Sequence, residues 1–343
     1  MSTHPTLVRP PPLDPSKSAI ENVLELTPLL DIGPDIYTNT RPLWHPPGAR
    51  GIYGGAVIAQ CLSAAQRTVP DNFTVHSMHC YFVLAGNSEI PIVYHVEHVR
   101  EGRSFATRTV QARQKGQPIF TTTMSFVREG SGGPKTVEHA TSMPPQAPKP
   151  IDESLSRLPE GEESPFIAQR FPIRDDGSLK PHEKRVWQWS KARGSISAEG
   201  GHQEHLSALA YMSDSFFIGT VSRVHNLWRF SSPQKTPSPS KDKEKVKMAK
   251  LESQENEKNL LEIRNRPQIG MMVSLDHTIF FHNPRAFRAD EWMFTEMESP
   301  WAGDGRGLVM QKIWSKDGVL VATCVQEGVV RLKQHGSESK SKL

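Results

Sequence analysis

Apolar positions along the chain fall into two blocks that repeat one order of periods. In the first, from about residue 51 to 128, GGAVIAQCLSAAQRTV (54–69) carries the apolar spacing of a helix directly after a glycine pair. VHSMHCYFV (75–83), IPIVYHVEHVREG (90–102), SFATRTVQARQKG (104–116) and QPIFTTTMSFV (117–127) then read as strands set apart by turn glycines. In the second block, from about 200 to 333, HQEHLSALAYMSDSFF (202–217) is the helix. MVSLDHTIFFH (272–282), EWMFTEMES (291–299), GLVMQKIWSKDG (307–318) and VLVATCVQEGVVRL (319–332) are its strands. QKGQPIF and SKDGVLV mark the same hairpin in each block. A helix followed by a long antiparallel sheet, twice over, predicts an α+β duplication.

Polar segments interrupt this pattern. Residues 1–18 hold Pro10, Pro11, Pro12 and Pro15 and read as an extended, flexible arm. Residues 19–30 read as a short amphipathic helix cut near its end by Pro28. The first repeat is expected over 19–128, a linker over 129–182, and the second repeat over 183–333. A Ser/Pro/Lys-rich insertion at 231–266 splits the second repeat, and a tail covers 334–343.

Composition sharpens the picture mainly by exclusion. The 28 prolines among 343 residues concentrate in these polar segments rather than in the repeats. A net charge of +4 does not fit a dedicated nucleic-acid binder, and the absence of any long apolar run argues against a membrane span. Three widely spaced cysteines, Cys61, Cys80 and Cys324, make neither a disulfide framework nor a zinc cluster. His76 and His79, and His202 and His205, have no further ligands in pattern, so no metal and no cofactor is expected.

The chemistry centres on one carboxylate. No G-x-S-x-G elbow is present; the nearest stretch, Gly102 to Ala106 around Ser104, sits between strands rather than between a strand and a helix. Asp214 follows Leu206 and Ala210 at i+4 and i+8, on the apolar stripe of its helix. A carboxylate there costs several kcal/mol unless hydrogen-bonded, so it is held in a polar network or it is functional. The first block has no Asp or Glu anywhere in 54–70, so one half looks competent and the other degenerate.

YGGAVIAQ (53–60), VHSMHCYFVLAGN (75–87), REGRSFATRTVQARQKGQPIF (100–120), ALAYMSD (208–214), SLDHTIFFHNP (274–284) and DGVLVATCVQEGVVR (317–331) together resemble the acyl-CoA thioesterase II family. The resemblance implies a double hot dog, in which each half wraps a sheet around one long helix, and hydrolysis of acyl-CoA thioesters. It places the family's catalytic aspartate on Asp214 and its hydroxyl and amide partners on Ser274 and Gln326. Strand alternation sets Ser274, Asp276, Thr278 and Phe280 on one face, so parity alone does not separate Ser274 from Asp276, which stays in reserve. Leu320, Ala322, Cys324 and Gln326 share a face of the last strand.

The expected reaction is attack by a water that gives a proton to Asp214 while Ser274 and Gln326 hold it. Gly54 and Gly55, at a helix start, are candidates for the oxyanion or for close helix–sheet packing. His202 matches a family position where substrate contact is expected. A hot-dog hydratase or dehydratase acting on acyl-CoA, and a non-catalytic acyl-CoA binder, are the competing readings. The closing Ser341, Lys342 and Leu343 read as an address for a peroxisomal import receptor and predict the peroxisomal matrix. Association into a homo-oligomer through outer sheet faces stays open.

Overall fold

A computed structural model describes residues 6–46, 51–151, 164–175, 177–227 and 267–334. The expected insertion at 231–266 and the Ser341-Lys342-Leu343 tripeptide lie outside the described residues.

Two helices of equal length form the centre: α2 (Gly54–Gln66) and α3 (Gly201–Ser213). From Gly55 to Ala65, α2 is buried throughout. Ile58 and Leu62 are fully inaccessible, and burying each side chain contributes about 1.5–3 kcal/mol. The two helices lie side by side and antiparallel. Ser63 donates to Ser207 at mid-length (3.0 Å), and Gln66 at the end of α2 donates to the Gln203 carbonyl at the start of α3.

A thirteen-stranded sheet wraps this pair. The first half supplies β1 (Leu26–Pro28), β2 (Ile36–Asn39), β3 (Phe73–Phe82), β4 (Val93–Glu101), β5 (Phe105–Gln114) and β6 (Gln117–Arg128). The second supplies β7 (Phe166–Arg170), β8 (Val186–Ala192), β9 (Ile269–Ser274), β10 (Asp276–Phe281), β11 (Met293–Gly303), β12 (Arg306–Trp314) and β13 (Leu320–Leu332). The spatial order is β1-β2-β4-β5-β6-β3-β10-β13-β12-β11-β8-β7, with β9 on β13. It reads the same from either end, and the antiparallel β3–β10 pair, with Cys80 opposite His277, joins the halves. This is the double hot dog that the resemblance implies. Turn glycines place the hairpins where expected: Gly116 (φ 75°) and Gly318 (φ 82°) adopt the left-handed conformation in the corresponding loops.

Several elements depart from the sequence reading. The expected helix over 19–30 stops early. A Ser18–Glu21 capping box starts α1 (Ala19–Leu24), Glu25 turns extended, and Leu26–Pro28 become the edge strand β1, where proline is tolerated. The proline-rich arm is tied down in its described part: Arg41 donates to the Pro12 carbonyl, and Asn22 to that of Asp14.

The 129–182 segment is more than a linker, because it contributes β7, which pairs with β8. Part of it also covers the outer face of the second half. Met143 and Ala147 pack on a cluster of Trp187, Trp189, Phe294 and Trp314, whose indole N–H groups at Trp189 and Trp314 donate to the Pro148 and Thr141 carbonyls. Those buried indoles need acceptors, and the wrapping segment provides them. No described helix is long and apolar enough to cross a membrane.

Candidate active site

Asp214 is the C-cap of α3 rather than a member of its apolar stripe. Its side chain is 10% exposed, held at the corner where the end of α3 meets the start of α2. Gln326 on β13 donates from Nε2 to Asp214 Oδ1 at 3.0 Å, and the Gly55 N–H donates to the same carboxylate. Burial outweighs both bonds and raises the Asp214 pKa to about 6. A helix C-terminus, with its unsatisfied carbonyls, is also unfavourable ground for an anion. Gly54 is required by space, because a Cβ there would stand 2.6 Å from Asp214 Oδ2 and 3.0 Å from the Phe82 ring.

Ser274 and Asp276, inseparable by parity, are separated by a bulge. Ser274 pairs with Gly328, but Thr278 pairs with Val325, so the β9–β10 side carries one extra residue around Leu275. The alternation expected to run unbroken from Ser274 to Phe280 is therefore reversed at Leu275. Ser274 shares the inward face with Gly328 and Gln326. On β10, His277, Ile279 and Phe281 point inward, and Asp276, Thr278 and Phe280 point outward. Asp276 instead holds the backbone. Its Oδ1 accepts the Glu327 N–H at 2.8 Å, and Leu275 donates to the Glu327 carbonyl, so the two residues staple the bulge.

The bulge also delivers a residue that alternation did not single out. His277 is fully buried beneath the Phe217 ring. Its Nδ1 lies 3.1 Å from Gln326 Nε2, its Nε2 lies 3.0 Å from Ser213 Oγ, and burial lowers its pKa to about 3. The Asp-His pair in SLDH was the only sequence signal for it. Gln311 adds a further inward amide, donating to the Ser213 carbonyl at 2.7 Å and capping the end of α3.

Asp214, Gln326, Gly54 and Gly55 are thus brought together, with Ser274 on the same inward face. The Gly55 N–H is already engaged by Asp214, which leaves Gly54 as the free candidate for an oxyanion. His202 is not brought to this corner. It lies in the first turn of α3, roughly 18 Å along the helix axis from Asp214, with Nε2 3.8 Å from Glu129. Among the described residues no group of three or more His, Cys, Asp or Glu is placed to hold a metal ion.

A buried carboxylate poised to ionise, held by an amide and set against the glycine start of a helix, is the equipment of water-activating hydrolysis. Comparison with known proteins agrees. The family profile described as acyl-CoA thioesterase N-terminal domain matches residues 41–127, and that of the C-terminal domain matches 141–330. The chain belongs to the acyl-CoA thioesterase II family. It is 34% identical to acyl-coenzyme A thioesterase 8 of Homo sapiens over 96% of this chain and 94% of that protein. It is also 34% identical to acyl-CoA thioesterase 2 of Haemophilus influenzae, over 84% and 90%. With the peroxisomal acyl-coenzyme A thioester hydrolase 1 of Saccharomyces cerevisiae it shares 25% over 94% and 97%. Among solved structures, an acyl-CoA thioesterase II from Mycobacterium marinum superposes with a TM-score of 0.65 at 29% identity, covering 94% of this chain and all of that one. This thioesterase is a hydrolase of acyl-CoA thioesters.

Proposed function

We propose that the Asp214 corner is the catalytic centre and that hydrolysis proceeds by direct attack of water, without an acyl-enzyme. Asp214 takes a proton from a water held by Ser274 and Gln326, and the oxygen attacks the thioester carbonyl. The carbonyl π pair moves onto oxygen, and that oxyanion is met by amides of the first turn of α2, Gly54 foremost. Collapse breaks the C–S bond. The proton on Asp214 goes to the departing thiolate, releasing free CoA thiol and a carboxylic acid. Because Gly54 and Gly55 come from the first half and Asp214, Ser274 and Gln326 from the second, the repeats act as one catalytic unit.

The observation that carries this reading is the burial of the Asp214 carboxyl at the corner of the two helices, which raises its pKa to about 6, with Gln326 and Gly55 donating to it. A purified-protein assay of thiol release from acyl-CoAs of several chain lengths tests it, run beside Asp214→Asn. The variant is expected to fold and to lose at least about 1,000-fold in kcat. A folded variant at the wild-type rate would remove Asp214 from the mechanism. Consumption of enoyl-CoA without thiol release would favour the hydratase reading, and binding without turnover the non-catalytic one.

The same proposal puts the enzyme in the peroxisomal matrix, delivered by an import receptor that reads Ser341-Lys342-Leu343. The support is that tripeptide and the peroxisomal name of the yeast relative. A fluorescent fusion that stays in peroxisomes after removal of the three residues would refute the signal.

A further inference from the structure

We infer that His277 is a positioning residue that sets the rotation of the Gln326 amide, and thereby which atom of Gln326 meets Asp214 and which meets water. The inference rests on the catalytic reading of Asp214 given above and adds a part to it.

The hydrogen bonds behind the site run in one direction. Ser213 donates its own proton to the Ala210 carbonyl at 2.8 Å. Its oxygen is then an acceptor toward His277 Nε2 at 3.0 Å, so that nitrogen carries the imidazole proton. The buried ring is neutral, so Nδ1 holds a lone pair and accepts one Gln326 Nε2 hydrogen at 3.1 Å. The other Nε2 hydrogen goes to Asp214 Oδ1 at 3.0 Å. Both amide hydrogens are used, and Gln326 Oε1 is left buried with no protein partner. A buried acceptor without a donor is costly, and in this corner the fitting donor is the second hydrogen of the attacking water. The water then gives one hydrogen toward Asp214 and one toward Gln326 Oε1, and its lone pairs face the thioester.

Without an acceptor at Nδ1, only the bond to ionised Asp214 holds the Gln326 amide in this rotation. Its oxygen can then turn to Asp214 and accept a hydrogen bond from the O–H of the neutral carboxylic acid, which favours the protonated and inactive form. The titratable groups packed at this corner are His277 from β10, Cys80 from β3, Cys324 from β13 and Tyr211 from α3. The thiols and the phenol are all raised by burial, with the charges of Asp276 and Asp214 adding to Cys80. None of these four titrates near Asp214, and Asp276, raised by burial, faces outward onto the Glu327 N–H, so the acid limb of the rate profile is assigned to Asp214.

Three substitutions at one position read this out in the full chain. His277→Leu removes the acceptor. His277→Asn places an amide oxygen near Nδ1, and His277→Gln places its amide near Nε2 instead. With palmitoyl-CoA as the probe, His277→Leu and His277→Gln are expected to lose about 10- to 30-fold in kcat with KM within about twofold. Their acid limb should move up by about one pH unit. His277→Asn is expected to stay within about threefold of wild type with the limb in place. Equal losses in the Leu and Asn variants, or a Leu variant with unchanged kcat and limb, would overturn the inference.

If His277→Leu does not fold, Ser213→Ala serves, because it removes the acceptor that keeps the proton on Nε2. Its limb is expected to move the same way by less, and an unmoved limb counts against the inference. Loss of activity in Asp214→Asn together with a wild-type His277→Leu would sink the positioning role alone. An active Asp214→Asn would sink the catalytic reading beneath it.

Discussion

The two halves of this thioesterase share a skeleton down to its irregularities, yet they treat the end of the central helix in opposite ways: one sets a buried carboxylate there, the other a buried cation. Both central helices span thirteen residues. The bulge at Val75–Ser77 in β3 recurs at Ser274–Asp276, and the one at Ile119 in β6, opposite Ala112–Arg113, recurs at Val321 in β13, opposite Ile313–Trp314. This registration equates Asp214 with Arg67, Ser274 with Val75, His277 with Met78 and Gln326 with Met124. Cross-strand pairs follow suit: Gln326 faces Val309, and Met124 faces Arg108.

In the first half, the C-terminus of α2 meets the buried Arg108 guanidinium, which donates to the Thr68 carbonyl and hydroxyl and to the Arg100 carbonyl, and pairs with Glu101. A cation at a helix C-terminus is the stable arrangement. In the second half the same place holds Asp214, the unstable one. The corner proposed as catalytic is thus the one where the fold keeps a carboxylate desolvated at the cost of stability.

The sharpest break of this comparison is charge removal at the two C-caps. Asp214→Asn is expected to reduce kcat/KM by at least about 1,000-fold, whereas Arg67→Gln, at the equivalent cap, should leave it within about twofold. Comparable losses in both, measured by thiol release on folded protein, would mean that the first half is not degenerate.

Arg108→Met separates stability from activity. Met restores apolar packing against Met124, but the Thr68 carbonyl just past α2 and the Arg100 carbonyl lose their donor. The expected outcome is a loss of about 2–4 kcal/mol in urea unfolding with kcat/KM within about twofold. An unfolding midpoint like wild type would show that Arg108 caps nothing of consequence.

Glycine is required at the start of each helix for a different reason. Gly54→Ala drives a methyl toward Asp214 Oδ2 and Phe82, and is expected to cost about 10- to 100-fold in kcat with a small change in stability. Gly201 has open space around it but φ 57°, so Gly201→Ala should cost about 1 kcal/mol of stability and no activity. Reversed outcomes in the two assays would move the site from the Gly54 end of the helix pair to the Gly201 end.

Period and turn chemistry made the two long helices and eight of the strands readable, since each long element buries one face. The edge elements were not readable. Leu26–Pro28 and Phe166–Arg170 are too short to show a period and look like proline-rich connections, although the strand order makes them equivalents. At the site, Asp214 stood out because a carboxylate interrupts an apolar run, and the family resemblance supplied Ser274 and Gln326. His277 and the outward turn of Asp276 could not be read, because alternation assumes a regular strand and one extra residue at Leu275 reverses every side chain after it.

An effect on stability alone, and one that depends on pH, lies in the mirror of the Asp214 corner. There a cleft of about 440 Å³ is lined by Gln66 and Arg67 from α2 and by Gly200 and Glu204 from the start of α3. Glu204 is raised to about 7, by burial first and then by the nearby Glu21 charge, with Arg67 and Lys17 opposing. A carboxyl whose folded-state pKa is raised binds its proton more tightly in the folded chain than in the unfolded one. Stability therefore falls as pH climbs from about 4.5 to 7 and stays low above. Glu204→Gln removes that dependence. It should match wild type at pH 4 and gain about 1–2 kcal/mol at pH 8, with thiol release unchanged. Asp214→Asn should show the same sign between about 4 and 6, but with activity gone. Urea unfolding of both variants at pH 4, 6 and 8 distinguishes them. A Glu204→Gln gain accompanied by lost turnover would mean that the mirror cleft still takes part in the reaction, and that the two halves differ by less than their charges imply.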